Sequence, residues 1–132
     1  EGRMEIVREK PMMILDGAHN SDGVARVVKE VKRHIGSLVP VFTALKEKEW
    51  GLSLNYLKEL SQKLYLVPIK HHRGEDMEKV YERAKEIGFN EVHILKGSEE
   101  VLRLEEDVLI IGSLYLVGEV KELLERAKTN GG

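Results

Sequence analysis

Met12-Met13-Ile14-Leu15-Asp16-Gly17-Ala18-His19-Asn20-Ser21 is the stretch on which the fold turns. Met12 to Leu15 is a continuous apolar run, the pattern of a strand covered on both faces. It stops at a polar turn that offers a carboxylate, an imidazole, an amide and a glycine between Asp16 and Asn20. A helix over Ser21–Ile35 follows, with Val24, Val27, Val28, Val31 and Ile35 at helical spacing on one face and Lys29, Glu30, Lys32 and Arg33 on the wetter side. Asn20 or Ser21 serves as its N-cap and Gly36 as its stop. Strand, polar turn and helix in this order are the start of an α/β unit. In such folds ligands bind where strand carboxyl ends and helix N-termini converge.

Outward from this stretch the two periodicities keep alternating. A weak strand over Met4–Arg8 precedes it. Strands follow at Leu38–Thr43, Lys63–Ile69, Glu91–Leu95 and Val108–Ile111, with helices at Leu54–Leu60, Glu75–Ile87, Ser98–Leu104 and Leu116–Ala127. Charged loops separate them at Leu45–Trp50 and His71–Gly74, and Thr129–Gly132 reads as a frayed tail. The expected fold is α/β, a Rossmann-like open, mostly parallel sheet with helices on both faces, in one domain over residues 1–132.

Bulk composition limits the function. The chain has 132 residues, 42 % hydrophobic and 33 % charged, with a net charge of −2. That balance gives no electrostatic footprint for nucleic acid or a membrane surface. No apolar run reaches the ~20 residues of a membrane span. The lack of cysteine excludes disulfides, thiolate catalysis and zinc–thiolate sites, and fits a reducing, cytoplasmic compartment. No Gly-x-x-x-x-Gly-Lys-Ser/Thr loop and no Gly-x-Gly-x-x-Gly fingerprint is present.

The candidate site residues gather at strand ends. Asp16 is either a ligand for a ribose hydroxyl or metal-bound water, or the acceptor of an Asx-turn. His19 can donate to a phosphate or stabilise developing negative charge, and the helix start behind it favours an anion. Arg3 suits phosphate or ribose recognition through its planar fork, or is an exposed residue near a chain end. Ser113 holds a ligand or caps the last helix. His71-His72-Arg73 lines an anionic substrate or is a solvated basic loop; Lys46 lies just past a strand end. No spacing points to a serine nucleophile or a metal centre.

Taken in order, these segments resemble the C-terminal domain of folylpolyglutamate synthase/dihydrofolate synthase, within the Mur ligase superfamily. Gly2-Arg3-Met4-Glu5 resembles the hinge motif Gly-Arg-x-Glu, and Leu15-Asp16-Gly17-Ala18-His19-Asn20 resembles Leu-Asp-Gly-Ala-His-Asn-Pro. Val41 to Glu49 resembles a strand followed by Lys-Asp-Lys-Asp, and Gly112-Ser113-Leu114-Tyr115-Leu116-Val117-Gly118-Glu119-Val120 resembles the signature near the C-terminus. Departures are Ser21 for Pro, Glu47 and Glu49 for Asp, Glu1 for the Pro before Gly-Arg and His72 for the Pro before Arg73.

The resemblance implies an ATP-dependent ligase that joins L-glutamate to a folate, either dihydropteroate or tetrahydrofolate, through an acyl-phosphate. Its P-loop and most Mg2+ ligands belong to a central domain of the same enzyme, absent from this chain, so the chain by itself is expected to be inactive. Arg3, Asp16, His19 and Asn20 would serve ATP, with Asp16 at the ribose and His19 near the phosphates or the glutamate in a catalytic role. Ser113 and Arg73 would face substrate. The hinge-like start at Gly2-Arg3 reads as the edge of a larger protein. The alternatives are a Mur-type peptidoglycan-precursor ligase domain and a non-catalytic α/β ligand-binding module.

Overall fold

The computed structural model describes residues 3–130. Of the hinge-like motif, Gly2 lies outside the described residues, as do Glu1, Gly131 and Gly132. Six strands form one sheet: β1 (Glu5–Glu9), β2 (Met12–Asp16), β3 (Val39–Phe42), β4 (Lys63–Leu66), β5 (Glu91–Ile94) and β6 (Val108–Ile111), in the order β1-β2-β6-β3-β4-β5. From β2 to β5 every neighbouring pair is parallel; β1 turns back on β2 as an antiparallel edge. The mostly parallel sheet expected from the alternation is present.

Strand parity explains the two-layered core. Ile14, Leu109, Ile111 and Phe42 point to the face covered by α1 (Ser21–His34), α2 (Gly51–Leu57) and α3 (Met77–Ile87). Met13, Leu15, Val108, Ile110 and Val41 point to the face covered by α4 (Ser98–Val101) and α5 (Leu114–Asn130). Both layers are dry, which is why β2 and β6 read as unbroken apolar runs. Burial of each Leu, Ile or Val contributes about 1.5–3 kcal/mol against chain entropy.

Element ends differ from the periodic reading where local hydrogen bonding overrides it. The second helix begins at Gly51 and finishes at Leu57, three residues earlier than the leucine spacing predicts. Leu60 stays buried, but its N–H bonds Leu57 in a tightened i→i+3 turn. Asp76, whose side chain accepts the Glu78 N–H, starts α3 two residues later than expected. β4 stops short of Pro68, which has no N–H for the ladder. α4 is a single turn that runs on as i→i+3 turns through Arg103 and Leu104. α5 starts at Leu114 and continues through Thr129, so the expected frayed tail is helical as far as Asn130.

Topology positions the site. The chain passes from β2 over one face to β3, β4 and β5, then returns by α4 to insert β6 between β2 and β3. Asp16 and Phe42 both register with Ile111, so three strands end level. α1 leaves the end of β2 towards one face, and α5 leaves the adjacent β6 towards the other. A crevice opens where they part, the switch point of a doubly wound sheet.

Gly112 makes this edge possible. Its φ is +120°, and a Cβ there would lie 2.2 Å from the Thr43 carbonyl oxygen. We predict that Gly112→Ala destabilises the domain by at least about 2 kcal/mol, from left-handed strain plus the clash. Urea unfolding of both proteins checks this; equal midpoints contradict it.

Towards the opposite edge Lys63 and Tyr65 both donate to the carboxylate of Glu106, and Lys63 also lies 3.7 Å from Glu91. Burial alone would push the Glu106 carboxyl up, but the hydrogen bonds from Lys63 and Tyr65 together outweigh it and hold it below the usual glutamate range. Hydrogen bonding to Glu106, then to Tyr65, holds the Lys63 ammonium above its usual range. The Glu106 contribution is therefore full above the ordinary glutamate pKa and lost as pH falls through the lower folded value. Wild type should exceed Glu106→Gln in stability at neutral pH, and the gap should shrink below about pH 4. A gap that widens on acidification, measured by unfolding across pH, contradicts this assignment.

Candidate functional site

The crevice is an open cleft of ≈ 530 Å³, walled by the Asp16–Asn20 turn, Arg3, the first turns of α1, and Leu114 at the start of α5. Asp16 is 3 % exposed. One carboxylate oxygen accepts the Met4 N–H at 2.9 Å and the other the Ala18 N–H at 2.8 Å. The second bond is the Asx-turn; the first anchors the N-terminal segment. Each oxygen keeps a further lone pair, so the group retains acceptor capacity. His19 is exposed, with Nδ1 3.3 Å from the Gly17 carbonyl oxygen.

Asn20 resolves the choice of cap. Its side-chain oxygen accepts the Gly23 N–H at 2.8 Å, so Asn20 and not Ser21 is the N-cap of α1. A Cβ on Gly23 would meet Ala18 Cβ at 3.2 Å and Asn20 Oδ1 at 3.3 Å, which shows how tightly turn and helix are packed. The N–H groups of Ser21 and Asp22 have no intrahelical acceptor, by the geometry of any helix start. With the helix dipole they make this wall of the cleft attractive to an anion.

Four of the residues singled out in the sequence, Arg3, Asp16, His19 and Asn20, thus line one cleft. Sequence reasoning missed Arg26 and Leu114. Arg26 follows Asp22 and Gly23 by one helical turn, so the i, i+4 relation to Asp22 was the available signal. Ser113 and Arg73 are not part of the cleft wall. Ser113 is buried, and its hydroxyl oxygen accepts the Tyr115 N–H at 2.9 Å, capping α5. Its hydroxyl proton remains available to donate. Arg73 forks onto Glu47, with Nε at 3.0 Å and Nη2 at 2.8 Å from the same carboxylate oxygen. Backbone bonds from Lys46 to Arg73 and from Glu75 to Ala44 tie the two loops together. The Lys46 side chain is exposed at this edge.

Arg3, Arg26, His19 and the first N–H groups of α1 offer donors to this cleft, and Asp16 a carboxylate with spare lone pairs. Among the described residues no group of three or more His, Cys, Asp or Glu gathers for a metal ion. Among them, too, no helix is long and apolar enough to cross a membrane.

A polar crevice at the switch point of an open α/β sheet marks a doubly wound domain with a candidate ligand site there. The chain belongs to the family described as Mur ligase, glutamate ligase domain, whose model matches residues 2–114. It is similar to the dihydrofolate synthase/folylpolyglutamate synthase of Bacillus subtilis, 28 % identical over 130 residues that cover 94 % of this chain and 30 % of that protein. In fold it matches Escherichia coli FolC in complex with DHPP and ADP, at TM-score 0.81 and 23 % identity over 96 % of this chain and 32 % of that one. It also matches the bifunctional Yersinia pestis folylpolyglutamate synthase/dihydrofolate synthase complexed with AMPPNP and Mn ion, at TM-score 0.78 and 24 % identity over 94 % and 31 %. The chain spans about a third of the length of these relatives.

The Asn20 cap yields a direct prediction. Asn20→Ala should cost about 1 kcal/mol of stability, and Asn20→Ser much less, because serine also accepts an N–H at this position. Thermal or denaturant melts of the three proteins check it; equal losses in both variants would show that the cap bond does not hold the turn.

Proposed function

We propose that this chain is the C-terminal domain of a cytoplasmic, ATP-dependent ligase that joins L-glutamate to a folate carboxylate, partnered by a P-loop domain of the same protein. The observation that carries this is the convergence of Arg3, Asp16, His19 and Asn20 on one cleft at the switch point. The family match and the names of the relatives support the same reading.

ATP, with Mg2+, supplies the phosphoryl group that converts the folate carboxylate to an acyl-phosphate. The glutamate amine then attacks the acyl carbon, a proton leaves the nitrogen, and phosphate departs. Domain closure brings Arg3 and His19 onto the nucleotide, with Asp16 accepting from the ribose and Asn20 holding the turn in shape. Arg3 donates a planar fork to anionic oxygens. His19 neutralises charge near the reacting phosphates. Ser113 offers its hydroxyl proton on the amino-acid side, and Arg73 faces the same substrate when Glu47 releases it. Closure raises the effective concentration of the amine and excludes water from the acyl-phosphate. The Mg2+ ligands lie mainly on the partner domain.

The test is glutamate-dependent ADP release by the full-length protein, with dihydropteroate and with tetrahydrofolate. We expect turnover to need both folate and glutamate, and to fall at least about tenfold in Asp16→Ala and in His19→Ala. The isolated domain should release no ADP. Turnover that survives both substitutions removes the site but keeps the ligase; no turnover with any folate overturns the reading.

A further inference from the structure

The N-terminal segment reaches the cleft through a turned joint at Met4. The β1–β2 ladder ends with Glu5 opposite Leu15, so Met4 is the first residue beyond it at the carboxyl edge of the sheet. One more step of the register would set Met4 opposite Asp16. Its N–H instead bonds the Asp16 carboxylate at 2.9 Å, and its φ of +46° is left-handed. Met4 is the one non-glycine residue with positive φ among the described residues. An extended residue here would carry the line of β1 straight on past the end of β2. The left-handed one turns the chain, and the residue before it, Arg3, stands on the cleft wall with Asp16, His19 and Asn20. Two anchors hold the turn. One is the N–H on Asp16; the other is the half-buried Met4 side chain, packed against the core layer on the α1 face. Arg3 itself is exposed, so its place on the wall rests on the backbone that follows it.

We propose that Met4 is a positioning residue for nucleotide binding: its left-handed backbone, latched by Asp16, sets Arg3 against the cleft. The proposal rests on the reading of this cleft as a nucleotide site given above. The requirement at position 4 is then for a backbone conformation and not for a thioether. For an unbranched residue the left-handed region is costly but reachable. A β-branched residue is a rare outlier there, and Asn enters it most readily among non-glycine residues.

The experiment is calorimetric titration of the full-length protein with AMPPNP and Mg2+, with a melting temperature for each variant. The variants are Arg3→Ala, Met4→Val, Met4→Ala, Met4→Asn and the double variant Arg3→Ala/Met4→Val. Arg3→Ala should raise the Kd about tenfold or more, as charge-assisted hydrogen bonds are lost. Met4→Val should raise it about as much, Met4→Ala less, and Met4→Asn no more than about threefold. On the Arg3→Ala background Met4→Val should add less than about twofold, because both act through one contact. The reverse order, with Val mildest and Asn most severe, would make the apolar anchor the cause and overturn the proposal. Equal losses in all three Met4 variants, or a Val effect that multiplies in full on Arg3→Ala, overturn it too. Should Met4→Val fail to fold, Ala against Asn decides on the same terms, since both drop the anchor and differ in left-handed preference. If Arg3→Ala weakens binding while every Met4 variant stays within about twofold of wild type, the nucleotide reading stands and this assignment falls. A wild type that binds no AMPPNP, or an Arg3→Ala that binds it equally well, overturns the role given to Arg3 and this assignment with it.

Discussion

The Asp16 carboxylate ties the carboxyl edge of the sheet together. Its oxygens accept the N–H groups of Met4 and Ala18, residues on either side of β2 in the sequence. Met4 is held at φ 46°, a left-handed conformation that costs a non-glycine residue on the order of 1–3 kcal/mol, and this bond secures it. Ala18 in turn accepts the Gly112 N–H at its carbonyl, and Gly112 seats against the end of β3. One chain of contacts thus runs from the N-terminal segment through β2 and β6 to β3. The cleft owes its shape to that chain.

This arrangement divides the labour among the polar residues. Asp16 and Asn20 spend their side chains on backbone N–H groups, which keeps the turn rigid. Arg3, His19 and Arg26 are exposed on the cleft wall. Under the proposed function, a domain that closes onto a nucleotide held elsewhere needs both: a frame that does not yield, and donors that face the cleft. In the loops at the ends of β3 and β4 Arg73 is engaged twice, its guanidinium by Glu47 and its N–H by His71 Nδ1.

Much of the fold was legible because its signals are periodic and local. The valines of α1 fall on one face and are buried there, and the apolar runs of β2 and β6 mark strands covered on both sides. The Asp16–Asn20 turn stood out because dense polar chemistry between a buried strand and a helix is rarely mere connection. Helix ends were less legible. Asp76 and Ser113 set theirs by single cap bonds, and Leu57 to Leu60 tightens into i→i+3 turns that apolar spacing does not encode. Arg26 and Leu114 escaped notice because each is unremarkable among its sequence neighbours. They count only where α1 and α5 part.

What the sequence by itself determined was the order of strands and helices, the buried faces and the polar turn at the end of β2, because hydrophobic period and turn composition act between residues a few positions apart. What only the tertiary structure decided was the insertion of β6 between β2 and β3, which brings Arg3, His19 and Leu114 around one cleft, and the stacking of Tyr115 on His71. Those contacts join residues tens of positions apart. Strand pairing and the handedness of the crossovers select them, and neither leaves a trace in the local pattern of the chain.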